Sequence, residues 1–236
     1  NKFYVVDANN VLHCYSLKNG EEIWNFKTDK PLIKSQKKNS LIVKKNNIIF
    51  NNSVGDITAV NSETGELVWQ APTQSKKIYD ESMFFKNSDL ISAKNSILFS
   101  NNKNGFYSLD ADSGLVNWKQ KINSNVRPVF FNNLIFTVTN EGYLVVLDNE
   151  SGKLIRSNYL LSNFKKKKRK KIKPVGFIVG QNNLYLTLNN GKLLVVDIRT
   201  GSVNTVLKID REKVSSPIVQ GQNLYIAKNN SIIKLN

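Results

Sequence analysis

Apolar positions in this chain fall into short runs, broken by clusters of Asn, Gly, Ser and Asp. Runs at 3–6, 48–50, 97–99, 134–138, 184–188 and 224–227 each lead into a turn rich in Asn or Gly, residues that tolerate the positive φ of tight hairpins. A second apolar run follows, as at 143–147, then an Asp/Asn-x-x-x-Gly turn and a further run. Extended segments at 127–131, 175–179 and 216–219 open three of these units. The grammar is β throughout. Long helical spacings of apolar residues are absent, which excludes a helical solenoid.

The units repeat. Asn10-Val-Leu-His-Cys-Tyr-Ser-Leu-Lys-Asn-Gly20-Glu-Glu-Ile-Trp24 aligns with Gly55-Asp-Ile-Thr-Ala-Val-Asn61-Ser-Glu-Thr-Gly65-Glu-Leu-Val-Trp69. Gly105…Asp110…Gly114…Trp118, Gly142…Asp148…Gly152…Arg156 and Gly191…Asp197…Gly201…Thr205 continue in the same register, and a sixth copy runs from Asn230 to Asn236. The second Gly recurs at 20, 65, 114, 152 and 201, spacings of 45, 49, 38 and 49. Four short strands per ~45 residues is the period of a propeller blade. The spacing predicts an all-β propeller of four-stranded antiparallel blades. It forms one domain over 1–236, with units near 1–27, 28–72, 73–121, 122–161, 174–209 and 214–236. The first unit starts at its second strand and the sixth ends after its third. Since propellers close by completing one blade from both termini, the expected ring extends upstream by at least two strands.

Composition allows a core, with 40% apolar residues, 12 Phe, 8 Tyr and 3 Trp, and no apolar run approaches a membrane span. The net charge of +16 points first to nucleic acid, an anionic membrane or an acidic partner. Its distribution narrows that. Residues 1–120 carry 15 cations and 12 anions, whereas 121–236 carry 19 and 6. Eight of the cations lie in one stretch, Lys165-Lys166-Lys167-Lys168-Arg169-Lys170-Lys171 plus Lys173. Elsewhere Lys and Asn are enriched together and only five of 34 cations are Arg, as an AT-rich coding sequence produces. Lys lacks the bidentate fork of Arg, so the pattern suits specific recognition of bases or phosphates poorly.

The segment G-x-L-x-x-L-D-x-x-T/S-G-x-x-x-W, carried most fully at 55–69 and 142–152, resembles the repeat of the pyrroloquinoline-quinone-like propeller superfamily. The resemblance covers the whole chain, and the GH…WD signature of WD-repeat propellers is absent. It implies an eight-bladed ring. The superfamily holds quinoprotein dehydrogenases and also the BamB-type lipoproteins of the bacterial β-barrel assembly machinery, which are not enzymes. The BamB character implies a non-catalytic periplasmic scaffold held at the outer membrane, with the central β-barrel assembly subunit as its protein partner. A lipid-bearing N-terminal Cys would then lie upstream, since Cys14 sits inside a strand.

Candidate chemistry is sparse. Trp24, Trp69 and Trp118 stand four residues after the turn Gly, and the resemblance implies packing on the neighbouring blade; Arg156 and Thr205 at that position imply weaker packing. Asp110, Asp148, Asp197, Asn61 and Ser16 read as turn residues that bond nearby backbone N–H groups. Asp110-Ala-Asp112-Ser-Gly114 departs from a calcium loop, with its Gly one residue early and Lys121 where a bidentate Glu belongs. His13 and Cys14 are the only His and Cys, and as strand neighbours they point to opposite faces. No triad or two-His metal site can be built from them, and one Cys cannot supply the adjacent pair of a quinoprotein site. Neither metal nor cofactor is expected. The 165–171 run falls between the last strand of one unit and the first of the next, on the face of the Asn10, Gly55, Gly105, Gly142 and Gly191 turns. It reads either as a mobile, solvated loop or as an electrostatic contact with anionic lipid or an acidic protein. Specific nucleic-acid binding is not expected, and a dehydrogenase or a basic adaptor stands as the rival to the scaffold reading.

Overall fold

The apolar alternation and the Asn/Gly turns pair each strand with its neighbours in sequence. The computed structural model describes residues 1–29, 39–53, 55–73, 86–101 and 105–235; segments 30–38 and 74–85, in the second and third units, and Asn236, ending the sixth, lie outside the described residues. Six antiparallel sheets result, each a meander. The first holds β1 (Lys2–Val6), β2 (Val11–Ser16) and β3 (Glu22–Lys27). The second holds β4 (Leu41–Lys44), β5 (Asn47–Asn51), β6 (Ile57–Asn61) and β7 (Leu67–Ala71), and the third β8 (Ile91–Ala93), β9 (Ser96–Asn101), β10 (Gly105–Asp110) and β11 (Val116–Gln120). Next come β12 (Val129–Phe131), β13 (Leu134–Val138), β14 (Tyr143–Asp148) and β15 (Leu154–Tyr159). The fifth sheet is β16 (Pro174–Val179), β17 (Asn183–Leu188), β18 (Lys192–Asp197) and β19 (Val203–Lys208); the sixth is β20 (Ile218–Gln220), β21 (Asn223–Lys228) and β22 (Ser231–Leu235). Three or four strands per sheet, repeated six times, are propeller blades in kind. The chain divides into two compact units, Asn1–Ile122 and Asn123–Asn236, with three sheets each.

Five sheets share one irregularity that the sequence does not announce. Pairing of the last two strands slips by a residue after Cys14, Ala59, Ser108, Val146 and Val195. The extra residue is the one before Trp24, Trp69, Trp118, Arg156 or Thr205. Such a bulge bends its strand and re-aims the next side chain. The residue paired with that side chain is matched in size: Cys14, Ala59 or Ser108 stands opposite Trp, and Val146 or Val195 opposite Arg156 or Thr205. This accounts for Cys14, a fully buried small residue beside an indole.

Apolar faces meet between adjacent sheets within each unit. In the first unit Leu12 packs with Ile48, Phe50 and Val60, and Ile49, Ala59 and Trp69 pack with Ile97, Phe99 and Leu109. In the second, Phe136, Leu144 and Val146 meet Phe177, Leu186 and Leu194, and the connection after β15 adds Leu160, Leu161 and Ile172. That connection holds the one helix among the described residues, α1 (Lys166–Arg169), a single turn. No helix among the described residues is long and apolar enough to cross a membrane.

Candidate functional site

The turns that carry the motif are fixed by their own side chains. Asp110 Oδ1 accepts from the backbone N–H of Asp112 at 3.1 Å and Ser113 at 2.9 Å, and from Ser113 Oγ at 2.8 Å. Asp197 repeats this with Arg199 N at 2.9 Å, Thr200 N at 2.7 Å and Thr200 Oγ1 at 3.0 Å, and Asn61 does so with Glu63 N and Thr64 N. Hydrogen bonds from Ser113 and Thr200 hold Asp110 and Asp197 below the usual carboxylate range. Asp112 is engaged by Lys45 at 2.8 Å and by Asn95 at 3.0 Å. These carboxylates are committed to the turn and the neighbouring sheet, and among the described residues no group of three His, Cys, Asp or Glu is placed to hold a metal ion.

The turns at Gly65, Gly114 and Gly201 also receive a side chain from the preceding sheet. The Trp69 ring lies so close under Gly114 that a Cβ there would stand 2.5 Å from Cε3, and Nε1 donates to the Ala111 carbonyl at 3.2 Å. Trp24 lies under Gly65 in the same way, at 2.7 Å from such a Cβ; the carbonyl equivalent to Ala111, that of Ser62, accepts instead from Tyr4 Oη at 3.2 Å. Trp118 is buried and stacks on Phe106 at 5.8 Å. Arg156 stands where the earlier sheets have Trp, and it bonds the matching carbonyl by other means. Its Nη2 donates to Ile198 O at 2.5 Å and Nη1 to Arg199 O, while Asn158 fills the space under Gly201. A charged donor on a carbonyl is strong enough to offset lost ring area. Arg156→Ala is therefore expected to lower stability by about 1.5–3 kcal/mol, measured by urea unfolding, with Arg156→Lys recovering only part of it.

His13 and Cys14 do not form a reactive pair. His13 Nδ1 lies 2.8 Å from Glu22 Oε1, and that bond holds the Glu22 carboxyl below its ordinary range. Burial pushes the Cys14 thiol up, away from the nucleophilic thiolate. A quinone of the kind the superfamily resemblance raises does not fit these residues. The lone Cys14 is fully buried against Trp24, and the turn carboxylates already have partners.

The Lys165–Lys171 run lies on the β15–β16 connection, at the end of the second unit's sheets where the β13–β14 and β17–β18 turns stand. Lys173 Nζ donates to Asn140 O at 3.2 Å, and Asn189 Nδ2 to Lys171 O at 3.0 Å. Leu161 packs on Gly142, and Ile172 is buried beside it. Inside α1 the one arginine turns back on the connection: Arg169 Nε donates to Phe164 O at 2.8 Å, Nη2 to Ser162 O at 2.6 Å, and the guanidinium lies 5.7 Å from the Tyr159 ring centre. The connection is folded and tied to the neighbouring turns at several points. Lys165, Lys166, Lys167, Lys168, Lys170 and Lys171 remain exposed. The clamp by Arg169 was missed in the sequence, although a single Arg among lysines was the available signal.

The family profile described as outer membrane protein assembly factor BamB matches residues 1–158. The chain belongs to the BamB family. BamB of Moraxella catarrhalis superposes with a TM-score of 0.78 at 12% identity, over 99% of this chain and 68% of that one. Quinohemoprotein alcohol dehydrogenase of Comamonas testosteroni gives 0.66 at 13%, over 88% and 41%, and the Cps50 (Swd1) β-propeller domain of Myceliophteria thermophila gives 0.62 at 13%, over 82% and 63%. At these identities the likeness is one of fold alone. No curated protein matches the sequence.

Proposed function

We propose that this BamB-family chain is a non-catalytic scaffold that assists the assembly of outer-membrane β-barrel proteins. In this reading it works on the periplasmic side of the outer membrane and binds the central β-barrel assembly subunit. The family match over 1–158 carries the proposal. The physical support is the construction of the blades. Turns tied by Asx bonds and seated on side chains of the preceding sheet are loops of fixed shape, and such loops on a rigid scaffold serve recognition. The test is a titration of the chain against the periplasmic domain of the central subunit from the same cell. A saturable one-to-one complex with Kd below about 10 µM is expected. Absence of a complex at roughly 100 µM would refute the reading. Dye-linked alcohol oxidation after reconstitution with pyrroloquinoline quinone and calcium would do so too.

A further inference from the structure

We infer that the connection carrying α1 is a contact site for the anionic headgroup surface of a phospholipid bilayer, reached through Lys165, Lys166, Lys167, Lys168, Lys170 and Lys171. Three observations carry this. First, the lysines are presented on a fixed base. Leu160, Leu161 and Ile172 are buried between the fourth and fifth sheets, and Arg169 is tied to the carbonyls of Ser162 and Phe164. Attraction to a surface is then not offset by ordering a free strand.

Second, the charge of the six lysines has no paired carboxylate among the described residues, and residues 151–196 contain eleven Lys or Arg and no Asp or Glu. Third, the chemistry of the site selects among anionic partners. The one bidentate fork, Arg169, is turned inward, which leaves hydrated ammonium groups that respond to a diffuse field rather than to a single matched acceptor. Nearby rings already carry cations: Arg169 lies over Tyr159, and Lys192 over Phe164 at 4.9 Å. Stacking platforms for nucleic-acid bases are therefore not offered here. An acidic protein would form an interface with an apolar anchor and few lysines at its centre, whereas the apolar side chains Leu160, Leu161 and Ile172 are buried. A field of anionic headgroups asks only for clustered, accessible positive charge. Each lysine near such a surface raises partitioning about fivefold, so several together give reversible binding that salt weakens.

The full chain is mixed with vesicles of phosphatidylethanolamine containing about one third phosphatidylglycerol, and separately with neutral phosphatidylcholine vesicles, and sedimented. Binding to the anionic vesicles alone is expected, lost between about 0.05 M and about 0.5 M salt. The variant Lys166→Gln/Lys167→Gln/Lys168→Gln/Lys170→Gln, which keeps the Arg169 clamp, should bind at least about 100-fold more weakly with an unchanged melting temperature. A second variant removes the same charge elsewhere, at the exposed Lys18, Lys153, Lys208 and Lys234, and should lose less than about fivefold. Equal losses in the two variants would assign binding to net charge and overturn the inference. Binding to neutral vesicles overturns it as well, as does stronger retention on polyglutamate or single-stranded DNA than on vesicles. The solution complex with the assembly subunit is read separately, so either proposal can fail without the other.

Discussion

Trp69→Ala is expected to destabilise the protein by about 3–5 kcal/mol, which for a chain of this length lowers the melting temperature by roughly 6–20 °C. The indole fills the seam between the second and third sheets beside Ile49, Ala59, Ile97 and Leu109, and its Nε1 satisfies the Ala111 carbonyl. Truncation leaves both a void and an acceptor without its donor. The contact with Gly114 gives a sharper test. Gly114 has φ +73° and would place a Cβ 2.5 Å from the ring, so Gly114→Ala combines left-handed strain with a clash and should cost about 3 kcal/mol. In a Trp69→Ala background the clash disappears, and the same substitution should cost only the strain, about 1–2 kcal/mol. Gly20 supplies an internal reference: its φ is +74°, and a Cβ there would meet nothing within 4 Å, so Gly20→Ala should cost the strain alone. Additive effects of Trp69→Ala and Gly114→Ala in urea unfolding would show that the ring does not seat on the turn.

Gly191→Ala is the second large effect, about 3–4 kcal/mol, and it arises from backbone rather than a side chain. Gly191 has φ +72°, and a Cβ would press on the carbonyl oxygens of Asp210 and Glu212. Those atoms cannot rotate away, because Ile209 N and Asp210 N donate to the Gly191 carbonyl at 2.9 and 3.0 Å. The substitution must push the 209–212 segment off the β17–β18 turn. Faster cleavage by protease within 209–213, together with the loss of stability, is the expected signature. A change below about 1 kcal/mol would mean that the turn does not depend on this approach.

What could be read from the sequence was what is local. Alternating apolar residues and Asn/Gly turns set the strands, and the Asp-x-x-x-Gly turn bonds need only residues two or three apart. The bulge before Trp24, Trp69, Trp118, Arg156 and Thr205 was not legible, because a one-residue slip in pairing leaves no mark in composition. Arg156 was read as a weakened position because the carbonyl it bonds, that of Ile198, lies 42 residues further on. The candidate site divided in the same way. Its charge was plain in the run of lysines, whereas the inward turn of Arg169 depends on the carbonyls of Ser162 and Phe164 facing back toward α1. That arrangement is a product of burying Leu161 and Ile172.

The meander order bears on how the chain is made. Every sheet pairs only consecutive strands, so each can form as soon as it leaves the ribosome, with little loop to close. The indoles of the first two sheets must wait. Trp24 seats on the turn at Gly65 and Trp69 on the turn at Gly114, some 40–45 residues downstream. At about 5–20 residues per second the wait is a few seconds, during which one apolar face of the newest sheet stays open. Within the first unit synthesis therefore advances with a single uncovered seam that is handed from the first sheet to the second and then to the third, and a pause in translation would prolong the exposure of one ring rather than of a whole core.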